Sequence, residues 1–447
     1  MNRVLDILSF KQTKKFILLI LCTFLICHSY VYSQVKYLMK NDVGFDFILN
    51  VSIDGNSING FTRERALLDY TSWFNYRLVR LATPLRNAEI IRFRATLIDG
   101  NFEGTYYNLF SSYRVVGNIS ADSISYSLFD RNNELHRSFR GKKITEHTRR
   151  DYVRLVEKAI RITEENIFDP QIIQSRRWQQ FRRRWLAAAP NIADDLEFQI
   201  GFFALVRNIG FSHFFIVRNV ASTNIDREKP SLKEIDENTV LLRISSFNER
   251  AENISPLLDT IRQRAYRNLI IDLRDNGGGN FESAFLVGNF LTDKEFISGF
   301  FPNRNWYEKH NRPPNRNDIE KFSLMTSDDL SAIHSEYGFY IAATGSNDSF
   351  KGKIYILVNN RTGSAAEALV IGAKEYGLAT IVGQRTAGAL LSPQQFRIDE
   401  DIILVVPVWD FISYNGFRVD QQGIEPDIRT RRGQELERVL EIINRNN

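Results

Sequence analysis

The pattern of hydrophobic and polar positions changes twice along the 447-residue chain. Between residues 34 and 142, aromatic and β-branched runs such as "RFRATLIDG" and "SISYSLFD" are separated by turn sequences containing "DG", "GN" and "RNN". Such runs predict short β-strands joined by tight turns. Residues 63–81 interrupt the pattern and are also compatible with a helix. We therefore expect a β-rich N-terminal domain at 34–142.

Residues 143–210 have a different period. In "DYVRLVEKAIRITEENI" and "RRWQQFRRRWLAAA" the apolar residues recur at intervals of three and four. This spacing predicts amphipathic helices with a charged face toward solvent. The segment is therefore expected to be helical.

Beyond residue 210, predicted strands and helices alternate. The strands are expected at 239–247, 269–274, 353–360 and 378–383, and an irregular insert at about 298–350. Alternation of this kind indicates parallel strands connected by helices. Two of the strands end in a glycine-containing loop, at the sheet edge where α/β proteins usually place their sites.

The N-terminus has the features of a secretory signal peptide. Lysines precede an apolar run from Phe16 to Ile26, and Val31 and Ser33 occupy positions suited to cleavage after residue 33. We expect residues 1–33 to be removed and the protein to be exported, either periplasmic or extracellular. An uncleaved signal anchor is the alternative.

Composition and charge exclude several functions for the mature chain. The whole chain has a net charge of +5, and residues 1–33 contribute four Lys/Arg and one Asp. The net charge of the remainder is therefore near +2, which does not indicate nucleic acid binding. The only cysteines, Cys22 and Cys27, lie in the same leader. Disulfides, a thiol nucleophile and cysteine-bound zinc are therefore excluded from the mature chain.

Ser364 is the first candidate for chemistry. In "VNNRTGSAAEALV" it stands between a predicted strand and a predicted helix. The local pattern favours a helix cap, because Glu367 three residues later completes a capping box. The same junction, however, exposes a side chain beside unpaired N–H groups that can bind an oxyanion.

A triple glycine follows another predicted strand, in "LIIDLRDNGGGN". Glycines here allow the backbone to approach a ligand and to turn N–H groups toward it, although a flexible turn is the simpler interpretation. No Gly-Lys-Ser/Thr follows, so a phosphate-binding loop is not indicated.

His213 and Asp420 are the candidate partners of Ser364. His213 follows Ser212 in "GFSHFF", and the remaining histidines of the mature chain stand in polar, irregular or β-domain contexts. Taken singly, His213 is compatible with a packed histidine and Asp420 with a solvated carboxylate. If Ser364 needs an imidazole base, His213 is the best candidate.

Together these motifs resemble the tail-specific, or C-terminal processing, serine peptidases. The order "NGGG", "TGSAAE", "IVGQRTAG", "GIEPDI" carries the resemblance, which covers about residues 205–430. It implies an α/β core of the crotonase-like type with parallel βαβ units at 211–447, a polypeptide substrate, and neither metal nor cofactor.

The resemblance points to the tricorn-core-like branch of that family. The serine–lysine branch has a lysine where this chain has Ala389, whereas "FSHF" matches the upstream Ser-His pair of the tricorn-core-like branch. About twenty-five residues separate His213 from the first core strand, too few for a PDZ domain. The helical segment 143–210 would be the cap of this branch.

The resemblance also implies roles. Ser364 would be the nucleophile and His213 the general base, with Ser212 and Asp420 orienting the imidazole. The oxyanion hole would combine the N–H of Ala365 with one from glycines 277–279, Gly278 being the first choice. The alternative function is a binding protein on the same fold, because some relatives bind hydrophobic ligands without proteolysis.

Overall fold

The computed structural model describes residues 34–41, 44–70, 85, 87–109, 111–147, 149–219, 228–326 and 331–446. The predicted signal peptide lies outside these ranges. So do residues 71–81 of the segment 63–81, for which the sequence left strand and helix open. Within the ranges, no helix combines the length and the apolar character needed to cross a membrane.

The described elements follow the chain as strands, then helices, then an alternation of both. The helices are Ala66–Tyr70 (α1), Tyr152–Asn166 (α2), Gln171–Gln174 (α3), Arg176–Ala188 (α4), Asp195–Val206 (α5), Ala251–Arg262 (α6), Phe281–Leu291 (α7), Arg304–His310 (α8), Ala365–Glu375 (α9) and Glu435–Asn446 (α10). The strands are Val35–Lys40 (β1), Phe47–Asp54 (β2), Ser57–Phe61 (β3), Arg92–Ile98 (β4), Asn101–Tyr107 (β5), Ser112–Ile119 (β6), Ser123–Phe129 (β7), Leu135–Ile144 (β8), Phe215–Arg218 (β9), Ser231–Asp236 (β10), Thr239–Arg243 (β11), Asn268–Asp272 (β12), Phe296–Pro302 (β13), Ser323–Met325 (β14), Gly338–Ala343 (β15), Lys353–Val358 (β16), Thr380–Gly383 (β17), Ser392–Arg397 (β18), Ile402–Trp409 (β19), Ile412–Ser413 (β20) and Ile428–Arg429 (β21).

The contacts divide the chain into two compact units. Of the described residues, one unit contains those up to Arg150 together with Asn191–Ile200, and the other contains Asp151–Pro190 and those from Gly201 onward. Part of the predicted helical segment 143–210 thus belongs to the first unit.

The first unit is a closed barrel in which β1 to β8 pair with their neighbours in sequence and β8 closes on β1. The alternation of apolar and polar residues produces it, since inward positions such as Leu49, Phe93 and Tyr126 are buried. Asp99 and Gly100 form the β4–β5 turn with φ of 50° and 79°, the left-handed conformation that tight hairpins require. The prediction of a β-rich N-terminal domain is confirmed.

A buried aspartate attaches the start of α5 to this barrel. The Asp194 carboxylate accepts hydrogen bonds from the N–H of Ile48 at 2.9 Å and of Glu197 at 2.8 Å. One bond caps the helix and the other reaches β2, so this side chain fixes the helix against the strand.

The second unit is built on a six-stranded sheet with the order β10-β11-β12-β16-β17-β21. Within this sheet, β11, β12, β16, β17 and β21 are parallel to one another, and β10 is antiparallel at the edge. All five residues of β12 are buried, because both faces of a parallel sheet are covered. The predicted βαβ alternation is therefore present, in a mixed sheet.

Two smaller sheets complete this unit, with the orders β14-β15-β13-β20 and β18-β19-β9. The first of these sheets corrects the expectation of an irregular insert at about 298–350, which instead contains β14, β15, α8 and most of β13. All seven residues of β13 are buried, since the strand pairs on both sides.

Helices α2, α4 and α5 occupy the predicted helical segment, and α4 and α5 fix the chain around residue 213. Phe214 packs against Trp178, Phe181 and Phe202, with ring centroids 6.2, 6.0 and 4.9 Å apart. Because Phe214 is anchored in this aromatic cluster, the backbone of its neighbour His213 has a defined position.

We predict that Asp194→Ala destabilises the barrel by about 1–3 kcal/mol, because the buried N–H of Ile48 loses its acceptor and the helix loses its cap. Chemical denaturation followed by circular dichroism measures the change. The exposed Glu146 provides a matched control, and Glu146→Ala should leave the unfolding midpoint unchanged. Equal midpoints for Asp194→Ala and the wild type would contradict the assignment.

Candidate active site

Ser364 lies in a strained turn between β16 and α9. Its backbone has φ 54° and ψ −127°, a combination that a residue with a Cβ rarely adopts. Non-glycine residues keep such conformations only where the surrounding structure enforces them, and they concentrate at functional sites. The turn directs the chain from a buried strand into a buried helix, with Ser364 half-buried at the junction.

Glu367 holds this turn in place. Its fully buried carboxylate accepts hydrogen bonds from the N–H groups of Ser364 (3.2 Å), Gly388 (2.7 Å) and Ala389 (2.9 Å), and from the hydroxyl of Thr386 (2.5 Å). Burial raises the pKa of Glu367, and the four hydrogen bonds oppose that shift. The capping role expected from sequence is only one of its contacts, because three of the four donors come from residues 386–389.

A second chain of hydrogen bonds joins Asp420, Ser212 and His213. The Ser212 hydroxyl donates to Asp420 Oδ1 at 2.5 Å and lies 2.8 Å from His213 Nδ1, while the Ser212 N–H donates to Asp420 Oδ2 at 3.1 Å. A hydroxyl has one proton, and it is directed to the carboxylate. His213 Nδ1 must then be the donor to Ser212, which leaves Nε2 as the unprotonated nitrogen.

The backbone of His213 makes this arrangement possible. Its φ is 55°, in the left-handed region that histidine adopts more readily than most residues. With that turn, the side chains of the consecutive residues Ser212 and His213 meet. Burial lowers the pKa of His213 to about 4, so the imidazole is neutral at pH 7. Burial also raises the pKa of Asp420, against the effect of its bonds to Ser212.

One short backbone segment connects the two halves. The carbonyl of Ala389 accepts a hydrogen bond from the N–H of Ser364 at 2.9 Å. The backbone of the next residue, Leu390, is close enough to the Asp420 carboxylate to lower its pKa. Gln421, which follows Asp420, donates its N–H to the carbonyl of Gly388 at 2.7 Å. The Ser364 turn and the Asp420 chain are therefore attached to the same segment.

The glycine loop packs directly against Ser364. A Cβ built on Gly278 would lie 2.5 Å from the Ser364 Cβ and 2.9 Å from the Ala365 nitrogen, so only glycine fits there. The loop, Ala365 and Ser364 are thus neighbours. The N–H of Gly278, however, donates to the side chain of Asn276 at 2.9 Å. The predicted contribution of this N–H to an oxyanion hole would require that bond to open.

Sequence reasoning missed three features of this region. The first is the set of long-range contacts of Glu367, and the second is the buried Asn276 beside the glycine loop. The third is the ion pair of Arg418 with the fully buried Asp410. The Tyr307 hydroxyl also donates to Asp410, at 2.5 Å. The only available signal for Asn276 was its place before the triple glycine. Arg418 and Asp410 had none, since an arginine eight residues from an aspartate predicts no pairing.

The described part of the chain holds no cluster of three or more His, Cys, Asp or Glu side chains suited to a metal ion. The chemistry that the site offers is that of a hydroxyl, an imidazole and backbone N–H donors. In such a site the hydroxyl is a potential nucleophile and the imidazole a potential base.

Residues 238–430 of the chain match the model of Peptidase family S41. The matched region includes Gly278, Ser364 and Asp420, whereas Ser212 and His213 precede it.

Individual relatives are distant. The chain is 23% identical over 201 residues to the tail-specific protease of Haemophilus influenzae, covering 43% of this chain and 24% of that protein. It is 24% identical over 171 residues to the tricorn protease of Thermoplasma acidophilum, covering 38% and 12%. Among solved structures, a lipoprotein from Streptococcus agalactiae aligns with a TM-score of 0.49 at 18% identity, covering 68% of this chain and 100% of that one. The chain therefore spans about a quarter or less of the two curated relatives.

We predict that Glu367→Gln lowers the free energy of unfolding by about 1–3 kcal/mol. A glutamine amide places an NH₂ group against N–H donors that the carboxylate now satisfies, so at least one of them loses its acceptor. The measurement is the midpoint of chemical denaturation. Glu437→Gln is the matched control, because Glu437 is exposed. An unchanged midpoint for Glu367→Gln would show that this carboxylate does not hold the turn.

Proposed function

We propose that this protein is an exported serine endopeptidase that hydrolyses peptide bonds of polypeptides through a Ser-His centre. The observation that carries the proposal is the attachment of two elements to one backbone segment. The strained Ser364 turn bonds to Ala389, and Gln421, which follows Asp420 of the Asp420–Ser212–His213 chain, bonds to Gly388. The match of residues 238–430 to Peptidase family S41, and the similarity to a tail-specific protease, support the same reaction class.

In the proposed mechanism, Ser364 Oγ attacks the carbonyl carbon of the substrate while His213 Nε2 accepts its proton. The resulting imidazolium keeps its Nδ1–H on Ser212, and the Asp420 carboxylate balances the positive charge through the Ser212 hydroxyl. His213 then protonates the leaving amine, and a water molecule repeats the sequence to release the acyl group.

The oxyanion formed during attack would be bound by the N–H of Ala365, the first residue of α9, where the helix leaves its N–H groups unpaired. The second donor would come from the glycine loop. We keep Gly278 as the first choice because of its contact with Ser364, on the condition that substrate displaces its N–H from Asn276. Such donors are worth about 3 kcal/mol each in the transition state.

We further propose the tricorn-core-like branch, with histidine in place of lysine as the base. Ala389 cannot accept a proton. Lys374, on the helix that follows Ser364, donates to the carbonyl of Glu425 at 2.8 Å and to Asp427 at 2.5 Å, so its ammonium is held elsewhere. The crotonase-like core, the cap role of residues 143–210 and the cleavage of residues 1–33 stay predictions.

Ser364→Ala is expected to abolish hydrolysis of an unfolded polypeptide and labelling by a fluorophosphonate, because the nucleophilic oxygen is lost. The free energy of unfolding should change by about 1 kcal/mol or less, the typical contribution of a cap side chain. Gel-based labelling and a cleavage assay provide the readouts. Ser112→Ala, at an exposed serine of the barrel, should retain both activities. A folded Ser364→Ala protein with undiminished cleavage refutes the assignment.

The acid limb of kcat/KM is expected near pH 4. The base must be neutral to accept a proton, and burial lowers the pKa of His213 to about 4, so activity is lost only as pH falls through that value. A peptide substrate without Asp, Glu or His isolates the enzyme's own titration. His213→Ala should be nearly as inactive as Ser364→Ala, since members of one catalytic unit are not additive.

Circular dichroism and recovery of activity after return to pH 7 control for acid unfolding. A limb centred above pH 6 would contradict the buried imidazole as the base. A His213→Ala variant that keeps most of the rate would exclude the Ser-His mechanism.

A further inference from the structure

The mouth of the N-terminal barrel contains a recess that the peptidase chemistry does not use. An eight-stranded closed barrel is just wide enough to be filled by its own side chains or to hold one small ligand. Part of this lumen is filled by the side chains of the barrel. A Cβ on Gly60, Gly117 or Gly141 would lie 2.1–2.3 Å from Phe93, Phe102 or Met39, so these glycines make room for neighbouring side chains.

The lumen is not filled at the end where β1 and β5 finish and β2, β4 and β8 begin. A cavity of about 150 Å³ remains there, beside the first turns of α5. Its apolar lining includes Phe47, Ile90, Ile91, Phe139 and Ile200. An apolar cavity of roughly this volume stays dry and binds a molecule of the size of benzene. The recess can therefore accept one aromatic ring or a short hydrocarbon chain.

A cation stands at the rim of the recess. Arg137 lines the cavity and shares the strand parity of Phe139 and Gly141, which face the lumen. It makes no ion pair or hydrogen bond with the part of the chain that the structure describes, and its charge acts on the buried Tyr106, which also lines the cavity. Its two guanidinium N–H pairs are thus free to bind a carboxylate in the bidentate geometry.

The interior behind the recess also contains an unsatisfied polar group. The ring of Tyr126 packs against Phe139 at 5.0 Å and against Tyr106 at 6.2 Å, and its buried hydroxyl has no hydrogen-bond partner among the described residues. Buried hydroxyls are normally paired, so a barrel packed only for stability would not be expected to leave this one alone.

We propose that the barrel mouth is a binding site for a small aromatic carboxylate, with the ring in the apolar recess and the carboxylate on Arg137. The ligand can be a free acid or the C-terminal residue of a polypeptide, since both present a ring next to a carboxylate. The site lies within the barrel unit and is independent of the proposed peptidase activity.

The test is a ¹⁹F NMR titration of the full chain with 4-fluorophenylacetate, and with 4-fluorophenylacetamide as the uncharged probe of the same shape. The acid should bind at least about tenfold more tightly than the amide, the difference that one charge-assisted pair supplies. Equal binding of the two probes, or no binding of the acid, overturns the proposal.

Three variants locate the site. Arg137→Gln should weaken binding of the acid about tenfold and leave binding of the amide unchanged. Arg140→Gln removes the same charge from an exposed position of opposite parity on β8 and should have no effect. Leu109→Trp, which fills the recess from its lining, should abolish binding of both probes. If the acid still binds to folded Arg137→Gln as it does to the wild type, the proposed site is wrong.

A tripeptide ending in phenylalanine, with a free or an amidated C-terminus, distinguishes the two sources. Tighter binding of the free-terminus peptide than of 4-fluorophenylacetate identifies a polypeptide C-terminus as the ligand. Binding of the small acid alone identifies a free carboxylate. If Arg137→Gln binds the preferred ligand as tightly as the wild type does, the proposal fails for either source.

Discussion

The buried carboxylate of Glu367 is the interaction on which the candidate site depends. A fully desolvated carboxylate is costly unless hydrogen bonds compensate, and Glu367 obtains four of them from two separate segments. In satisfying its own charge it attaches the segment 386–389 to the strained turn at Ser364. The carbonyl of Gly388 in that segment accepts a hydrogen bond from the N–H of Gln421, the residue after Asp420. One buried charge thus sets the position of both halves of the site.

The candidate site contains two strained backbone positions. Ser364 and His213 both have positive φ, at 54° and 55°, and each such position costs of order 1–3 kcal/mol. The packing that enforces them is extensive, with Gly278 packed against Ser364 and the aromatic residues of α4 and α5 holding Phe214. The proposed nucleophile and base are therefore held by the surrounding core in conformations that they would not adopt alone.

Sequence patterns were informative where a local rule has a single structural solution. Alternating runs with Asp-Gly turns predicted the barrel strands, and apolar runs followed by glycine predicted the parallel strands. They were poor where tertiary pairing overrides local signals, as in β13, which begins the insert expected to be irregular and is a strand because it pairs with a neighbour on each side. The choice of Ser364, His213 and Asp420 came from motif order and resemblance, because each residue alone favoured a structural interpretation.

The sequence by itself determined which residues could do chemistry: a serine before a helix, a histidine after a serine, an alanine in place of a lysine, and glycines where a side chain would clash. Only the tertiary structure decided how they are connected. The hydrogen bonds of Asp420 to Ser212 and of Gly278 to Asn276 join atoms whose separation is not encoded in any local periodicity. The same holds for the open barrel mouth beside Arg137. Periodicity specifies which face of a strand is buried, whereas the unfilled volume follows from the packing of all eight strands together.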